Sequence, residues 1–201
     1  MGRTSDARER LVSSAGELVY ALGYQGVSVE ELCERAEVKK GSFYHFFPSK
    51  QELTLAALDA QWNRMRDALV EPAFASDLPP LERIQRFFDS MAGASADEQG
   101  QTGQVGGCRF GNLVAEMGSQ NPQIRQKVLS VFQALATYFE QTLEEAINAG
   151  ALSSINPRVT ALALLAYMEG MLLLGRTYND ADLMRHLGQQ AIQFALAGGP
   201  S

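Results

Sequence analysis

The chain is predicted to be all-α, with about nine helices, and three observations carry that expectation. Apolar residues recur at three- and four-residue steps along most of its 201 positions, the period of a helix face. No run of strict period-two alternation occurs anywhere, so strands have no signal. Helix-start signals recur in two forms, Ser-x-x-Glu boxes and Asn-Pro pairs.

From Ser5 to Leu22, the residues Ala7, Leu11, Ala15, Leu18 and Leu22 line one face of a first helix, and Gly23 supplies a stop. Ser28-Val-Glu-Glu31 is a capping box opening a second helix through Leu32, Cys33 and Ala36. After the turn Glu37-Val38, a short third helix spans Lys39 to Phe47 and ends at Pro48. Ser49-Lys-Gln-Glu52 is a second capping box, opening a long fourth helix through Trp62 towards Val70. Leu81, Ile84, Phe87, Phe88 and Met91 mark a fifth helix, and Phe110 to Met117 a short sixth. Asn121-Pro122 starts a seventh, whose stripe Ile124, Val128, Leu135, Phe139, Leu143 and Ile147 runs to Gly150. Asn156-Pro157 starts an eighth, apolar nearly all round and expected to be buried on several sides. A ninth carries Leu183, Leu187, Ala191 and Phe194. The four glycines of Gly100 to Gly107 are expected to form a mobile connection.

With 46% hydrophobic residues the chain can bury a sizeable core. The start MGRTSDARERL lacks the basic-then-apolar order of a secretory signal, so export is not expected. The apolar stretch Val159 to Leu174 carries Glu169 and Gly170 and is expected to be a core helix, not a membrane span. Two cysteines, Cys33 and Cys108, without metal or redox spacing, fit a reducing cytoplasm. Net charge is −6, but residues 1–50 hold seven Lys/Arg against seven Asp/Glu, so the acidic excess falls on 51–201. The N-terminal part is therefore not repelled from a polyanion as the total would suggest.

Two short helices after a longer one form the arrangement that presents its last helix to the major groove of DNA. Lys39 and Lys40 can meet phosphate or the guanine edge, Ser42 can bond either, and Tyr44 and His45 offer aromatic surface with a polar tip. Gly41 lets backbone come close to a duplex. Each has a plainer reading: Lys39 and Lys40 as solvated surface, Ser28 and Ser49 as caps, and Phe43, Phe46 and Phe47 as packing. The run Gly23-Tyr-Gln-Gly-Val-Ser-Val-Glu-Glu-Leu32, followed by Ala36-Glu-Val-Lys-Lys-Gly-Ser-Phe-Tyr-His-Phe-Phe-Pro-Ser-Lys-Gln-Glu-Leu53, resembles the N-terminal signature of TetR-type (TetR/AcrR) regulators. The resemblance is strong over about residues 5–58. It implies a helix-turn-helix DNA-binding domain at 1–50 and a larger effector-binding and dimerisation domain at 51–201. It also implies DNA contacts from Ser28, Lys39, Lys40, Gly41, Ser42, Tyr44, His45 and Lys50. Lys39 departs from the Ser or Thr that often caps the third helix in that family.

The family likeness further implies a homodimer formed through the helices at about 157–176 and 180–197, suited to a palindromic operator. The segment from Cys108 to Met117 is similar to one in a subset of the family that includes electrophile- and oxidant-responsive repressors. A thiol at a helix start beside Arg109 has the setting of a reactive cysteine; the plainer reading is a small buried hydrophobe. Phe87, Met91, Cys108, Phe110, Asn112, Phe132, Tyr167 and Met171 are the effector-binding candidates, with Phe88, Tyr138 and Met168 as further lining and Glu116 or Glu169 as orienting groups.

The expected function is a ligand-responsive transcriptional regulator, a repressor released from its operator by a small molecule. The alternatives are a helical interaction protein or an enzyme without DNA binding. Against an enzyme, the only histidines are His45 and His186, and no paired-His motif or phosphate-cradling glycine loop occurs. No metal or cofactor is expected.

Overall fold

The computed structural model describes residues 3–152 and 155–197. Its described residues form ten α-helices, α1 (Arg3–Leu22), α2 (Val29–Arg35), α3 (Lys40–Phe46), α4 (Lys50–Met65), α5 (Glu71–Phe74), α6 (Pro80–Thr102), α7 (Arg109–Met117), α8 (Pro122–Asn148), α9 (Pro157–Tyr178) and α10 (Ala181–Ala197). The helix beyond the nine expected is α5, four residues long, reached from α4 through a π turn at Arg66–Val70. Pro72 lies just past that turn and has no N–H to donate, which favours a local change of helical register.

Two compact units emerge. The first comprises the chain up to Arg64 together with Arg109–Leu129, and the second comprises Met65–Cys108 with the chain from Ser130 onward. In the first, Gly23 closes α1 in the left-handed region at φ 80°, its N–H donating to Val19 O at 3.0 Å. The Ser28 box forms in full: Glu31 N–H donates to Ser28 Oγ at 3.2 Å, and Ser28 N–H to Glu31 Oε2 at 2.7 Å. Glu37 takes a left-handed φ of 53° past the end of α2, and Val38 N–H reaches back to Cys33 O at 2.9 Å, the closure that reverses a chain after a helix. This turn aims α3 away from α2 while Leu11, Ala15, Leu32, Phe43 and Leu53 seal a small core beneath it.

In the second unit, Phe74, Phe87, Phe88, Tyr138 and Phe139 pack with ring centroids 5.2–6.2 Å apart. Gly175 of α9 lies so close to Met184 of α10 that any side chain there would collide with it. The glycine-rich segment differs from expectation. Helix α6 runs on through Gly100 to Thr102 and ends only at Gly103, left-handed at φ 77°, whose N–H donates to Gln99 O at 2.8 Å. The connection proper is also anchored: Val105 is buried, its N–H donates to Asn179 Oδ1 at 2.8 Å, and Asn179 Nδ2 donates to Gly103 O at 3.0 Å.

Helix α9 buries one side within its own chain and leaves apolar residues on the other. Thr160, Ala161, Leu164, Leu165, Met168, Met171, Leu172 and Gly175 are buried, whereas Val159 is 61% and Leu173 62% exposed, with Leu162, Leu174 and Tyr178 also outward. At 22 residues and a mean hydropathy of 1.4 it is long and apolar enough to cross a bilayer by length and composition, yet its inner face packs against α10. The side chain of Phe194, assigned above to the last helix's stripe, lies outside the described ones.

Candidate nucleic-acid interface and effector residues

Helix α3 divides its residues cleanly between two faces. Phe43 is fully buried and Phe47 nearly so, while Tyr44 is 52% exposed and Lys39, Lys40, Gly41, Ser42 and His45 are exposed beside it. Two rings on the inner side fix the helix; the Phe43 and Tyr44 rings meet edge-on at 5.1 Å, which steadies the outward tyrosine. Lys39 occupies the N-cap of α3 without a side-chain cap, its carbonyl accepting from Ser42 N–H at 2.8 Å and Phe43 N–H at 3.1 Å. Its ammonium is thereby left to the outer face.

Lys39, Gly41, Ser42 and His45 line one open groove of about 470 Å³, closed on the far side by Ala7 and Arg10 of α1. No Cβ placed on Gly41 would meet anything within 4 Å, so its backbone is open to a large partner. Lys40 is exposed and is held by Glu30 of α2. That ion pair lifts the Lys40 ammonium above its usual range and lowers the Glu30 carboxyl. Ser28, exposed at the start of α2, presents a helix N-terminus on the same unit.

Lys50 is placed differently from the other seven. Its Nζ donates to Tyr24 O and Val27 O, each at 2.8 Å, and lies 4.2 Å from the centre of the Tyr24 ring. Burial pushes its ammonium below the usual lysine range. It pins the segment between α1 and α2, and so holds the start of α2 in place.

Sequence reasoning missed the partner of that segment. Glu116 of α7 accepts from Tyr24 N–H and Gln25 N–H, both at 2.8 Å, so both of its oxygens are engaged by backbone. Arg109, at the other end of α7, lies 3.7 Å above the Tyr20 ring and reaches Gly16 O at 3.4 Å. Its guanidinium is thus turned to α1. No local pattern could have revealed contacts spanning some ninety residues.

Of the effector candidates, Phe87, Cys108, Met91, Phe132, Tyr167 and Met171 belong to the second unit, and Phe110 and Asn112 to the first. Phe87 and Met171 are buried, Met91, Cys108 and Phe132 half-buried. Tyr167 packs edge-on to Phe88 at 6.1 Å and donates its hydroxyl to Leu187 O at 2.8 Å. Phe110 is buried and Asn112 half-buried. The Cys108 thiol hydrogen-bonds the Glu169 carboxyl, which burial pushes above the usual carboxylate range.

Comparison with known proteins agrees with this geometry. Residues 11–57 match the family described as "Bacterial regulatory proteins, tetR family", and residues 80–191 match "Tetracyclin repressor-like, C-terminal domain". The chain belongs to the tetR family. Transcriptional regulator AcuR of Cereibacter sphaeroides is 32% identical over 170 residues, covering 83% of this regulator and 75% of AcuR. HTH-type transcriptional repressor NemR of Escherichia coli is 27% identical over 139 residues, 69% of this regulator and 68% of NemR. The solved TetR regulator of Chloroflexus aurantiacus superposes with a TM-score of 0.84 at 26% identity, covering 96% of each chain. The all-α helix-turn-helix regulator is therefore a DNA-binding transcriptional regulator of this family, in which response to a ligand is general.

Proposed function

We propose that the regulator is a repressor that occupies a palindromic operator as a homodimer in the cytoplasm and leaves it when a small, electrophilic effector binds. The observation that carries the DNA-binding half is α3, anchored by buried Phe43 with Tyr44, Ser42 and His45 outward and Lys39 and Lys40 at its start. Lysines and the Ser28 helix end meet phosphates, while Ser42, Tyr44 and His45 face base edges and Gly41 admits the backbone. Lys50 acts by holding the segment from Tyr24 to Val27, and so Ser28, in register.

The exposed stripe Val159, Leu162, Leu173 and Leu174 on α9 supports dimerisation through α9 and α10, since such a patch is otherwise a solubility cost. Two copies then present two α3 helices to successive major grooves. Phe87, Met91, Cys108, Phe110, Asn112, Phe132, Tyr167 and Met171 are the residues proposed to sense effector, and Glu169 joins them. Effector bound more tightly by a state with wrongly spaced α3 helices depletes the DNA-competent one. The similarity to NemR, a transcriptional repressor, supports repression over activation. The domain division proposed is 1–50 for DNA and 51–201 for effector and dimer.

The test is a gel shift on DNA from upstream of the regulator's own coding sequence, across a salt series. Lys40→Ala and Tyr44→Ala are each expected to weaken specific binding by about tenfold or more, with helical circular dichroism unchanged. Lys40→Ala should also flatten the salt dependence by about one counterion. Affinity unchanged in both variants would overturn the assignment.

A further inference from the structure

Two adjacent acidic residues stand in the first turn of α2, Glu30 and Glu31, and the fold uses them differently. Glu31 is committed to the cap, its Oε2 accepting from both Ser28 N–H and Ser28 Oγ at 2.7 Å. Glu30 takes no part in that box. Its carboxylate reaches out of α2 to the Lys40 ammonium at the start of α3, and both side chains are more than half exposed. The first turn of α3 holds no acidic residue of its own, so the charge that meets Lys40 comes from α2.

The pair is not needed to set the angle between the two helices. Val38 N–H closes the turn onto Cys33 O at 2.9 Å, and Leu32 and Phe43 are fully buried beneath it, whereas an ion pair this exposed adds little to a fold. For a lysine that is to meet DNA, the carboxylate is a hindrance. It stands on the ammonium where a duplex would place a phosphate oxygen, and it sets a negative charge against a polyanion.

We propose that Glu30 is an internal competitor for DNA, holding the Lys40 ammonium in the free regulator and giving it up to a backbone phosphate in the complex. This rests on the reading of Lys40 as a DNA contact and adds to it a residue that holds affinity down. An ammonium with three N–H donors can pass from one anion to the other without losing its partners, and the exposure of the pair keeps the exchange easy. Lys40 lowers the Glu30 carboxyl and Glu30 lifts the ammonium, so both remain charged across the neutral range. Every duplex, whatever its sequence, must displace the carboxylate. Without that competitor the grip on DNA would be tighter, and its release would demand a larger differential affinity from an effector.

The experiment measures gel-shift affinity of the full-length regulator for DNA from upstream of its coding sequence and for a duplex of scrambled sequence, from low to high salt. Glu30→Gln keeps the size of the side chain and removes its charge. It is expected to tighten binding of both duplexes about tenfold at low salt, with the gain shrinking as salt screens the charges. Glu30→Asp keeps the charge on a shorter arm, and should show a smaller gain by loosening the hold on Lys40. In a Lys40→Ala background, Glu30→Gln should gain only about threefold, the part owed to repulsion of DNA alone. A gain in affinity cannot come from misfolding. Equal gains with and without Lys40 would make Glu30 a repelling surface charge and overturn the exchange. Weaker operator binding by Glu30→Gln would mean that the carboxylate positions Lys40 for DNA, and would overturn it as well. If Lys40→Ala weakens binding while Glu30→Gln leaves it unchanged, the competitor falls and the DNA contact stands. If Lys40→Ala changes neither affinity, both fall.

Discussion

The two units are stabilised in different ways. In the first, α2 and α3 have only seven residues each, too short to persist on helical propensity alone. Polar contacts at the ends of the turns hold them: the Ser28–Glu31 box, the Val38 closure onto Cys33, and the Lys50 and Glu116 clamps on the segment between α1 and α2. In the second, α6, α9 and α10, of 17 to 23 residues, and the part of α8 from Ser130 onward pack through rings and aliphatics, and the two buried polar atoms lacking a partner among the described residues, Arg83 Nε and Glu169 Oε1, both lie there. A DNA-reading surface needs a rigid backbone with its groups turned outward. A region proposed to respond to a ligand can tolerate unmatched polar atoms inward.

Truncating the ring beneath α3 is expected to produce the largest effect. Phe43 is fully buried, so Phe43→Ala should cost about 3–5 kcal/mol of stability and abolish operator binding with it. Tyr44→Ala, one position on, should weaken operator binding with far less change in unfolding midpoint. Thermal or denaturant unfolding in parallel with the gel shift reads both. Equal stability losses at the two positions would mean that the inner and outer faces of α3 are not distinct.

That contrast also explains what the sequence made legible. Caps, stops and the turn after α2 are written within three or four residues, so α1 to α4 and the outward residues of α3 could be read directly. The aromatic cluster and the helix order of the second unit followed from periodicity. What escaped were choices made by distant partners: Arg109 turned to Tyr20, Glu116 engaged by Tyr24 and Gln25, and Asn179 holding Gly103 and Val105. The π turn and short α5 before Pro79 escaped for another reason, because they only adjust the register of a continuing helix. Which of α9's apolar residues face its own chain was not legible, because an apolar residue covered by its own chain and one left exposed by it look alike in a sequence.

An intermediate effect is expected at Glu116, the long-range clamp on the first unit. Glu116→Gln removes one acceptor oxygen and sets an amide NH2 against a backbone N–H, a loss of about 1–2 kcal/mol. Amide exchange at Tyr24 and Gln25 should accelerate, because both now donate to that carboxylate at 2.8 Å. Unchanged protection of the two amides would show that Lys50 alone holds the segment, and the contrast between polar clamps and apolar packing would narrow to one residue.

The smallest effect tests the unmatched carboxyl of the second unit by its pH dependence. Burial raises the Glu169 pKa in the folded state, with the Cys108 hydrogen bond opposing it. The folded chain then keeps a proton over a range where the unfolded chain has lost it, so this group's contribution to stability falls as pH rises from the unfolded carboxylate value to the folded one. Below that window the penalty is absent; above it the full penalty remains. Glu169→Gln has no such proton to lose. The variant's unfolding temperature should therefore gain on the wild type as pH is raised from about 4 to 8, and the gain should level off once Glu169 has ionised in the folded state. A difference independent of pH would mean that Glu169 titrates alike in both states, and that the second unit carries no electrostatic strain at this position for an effector to relieve.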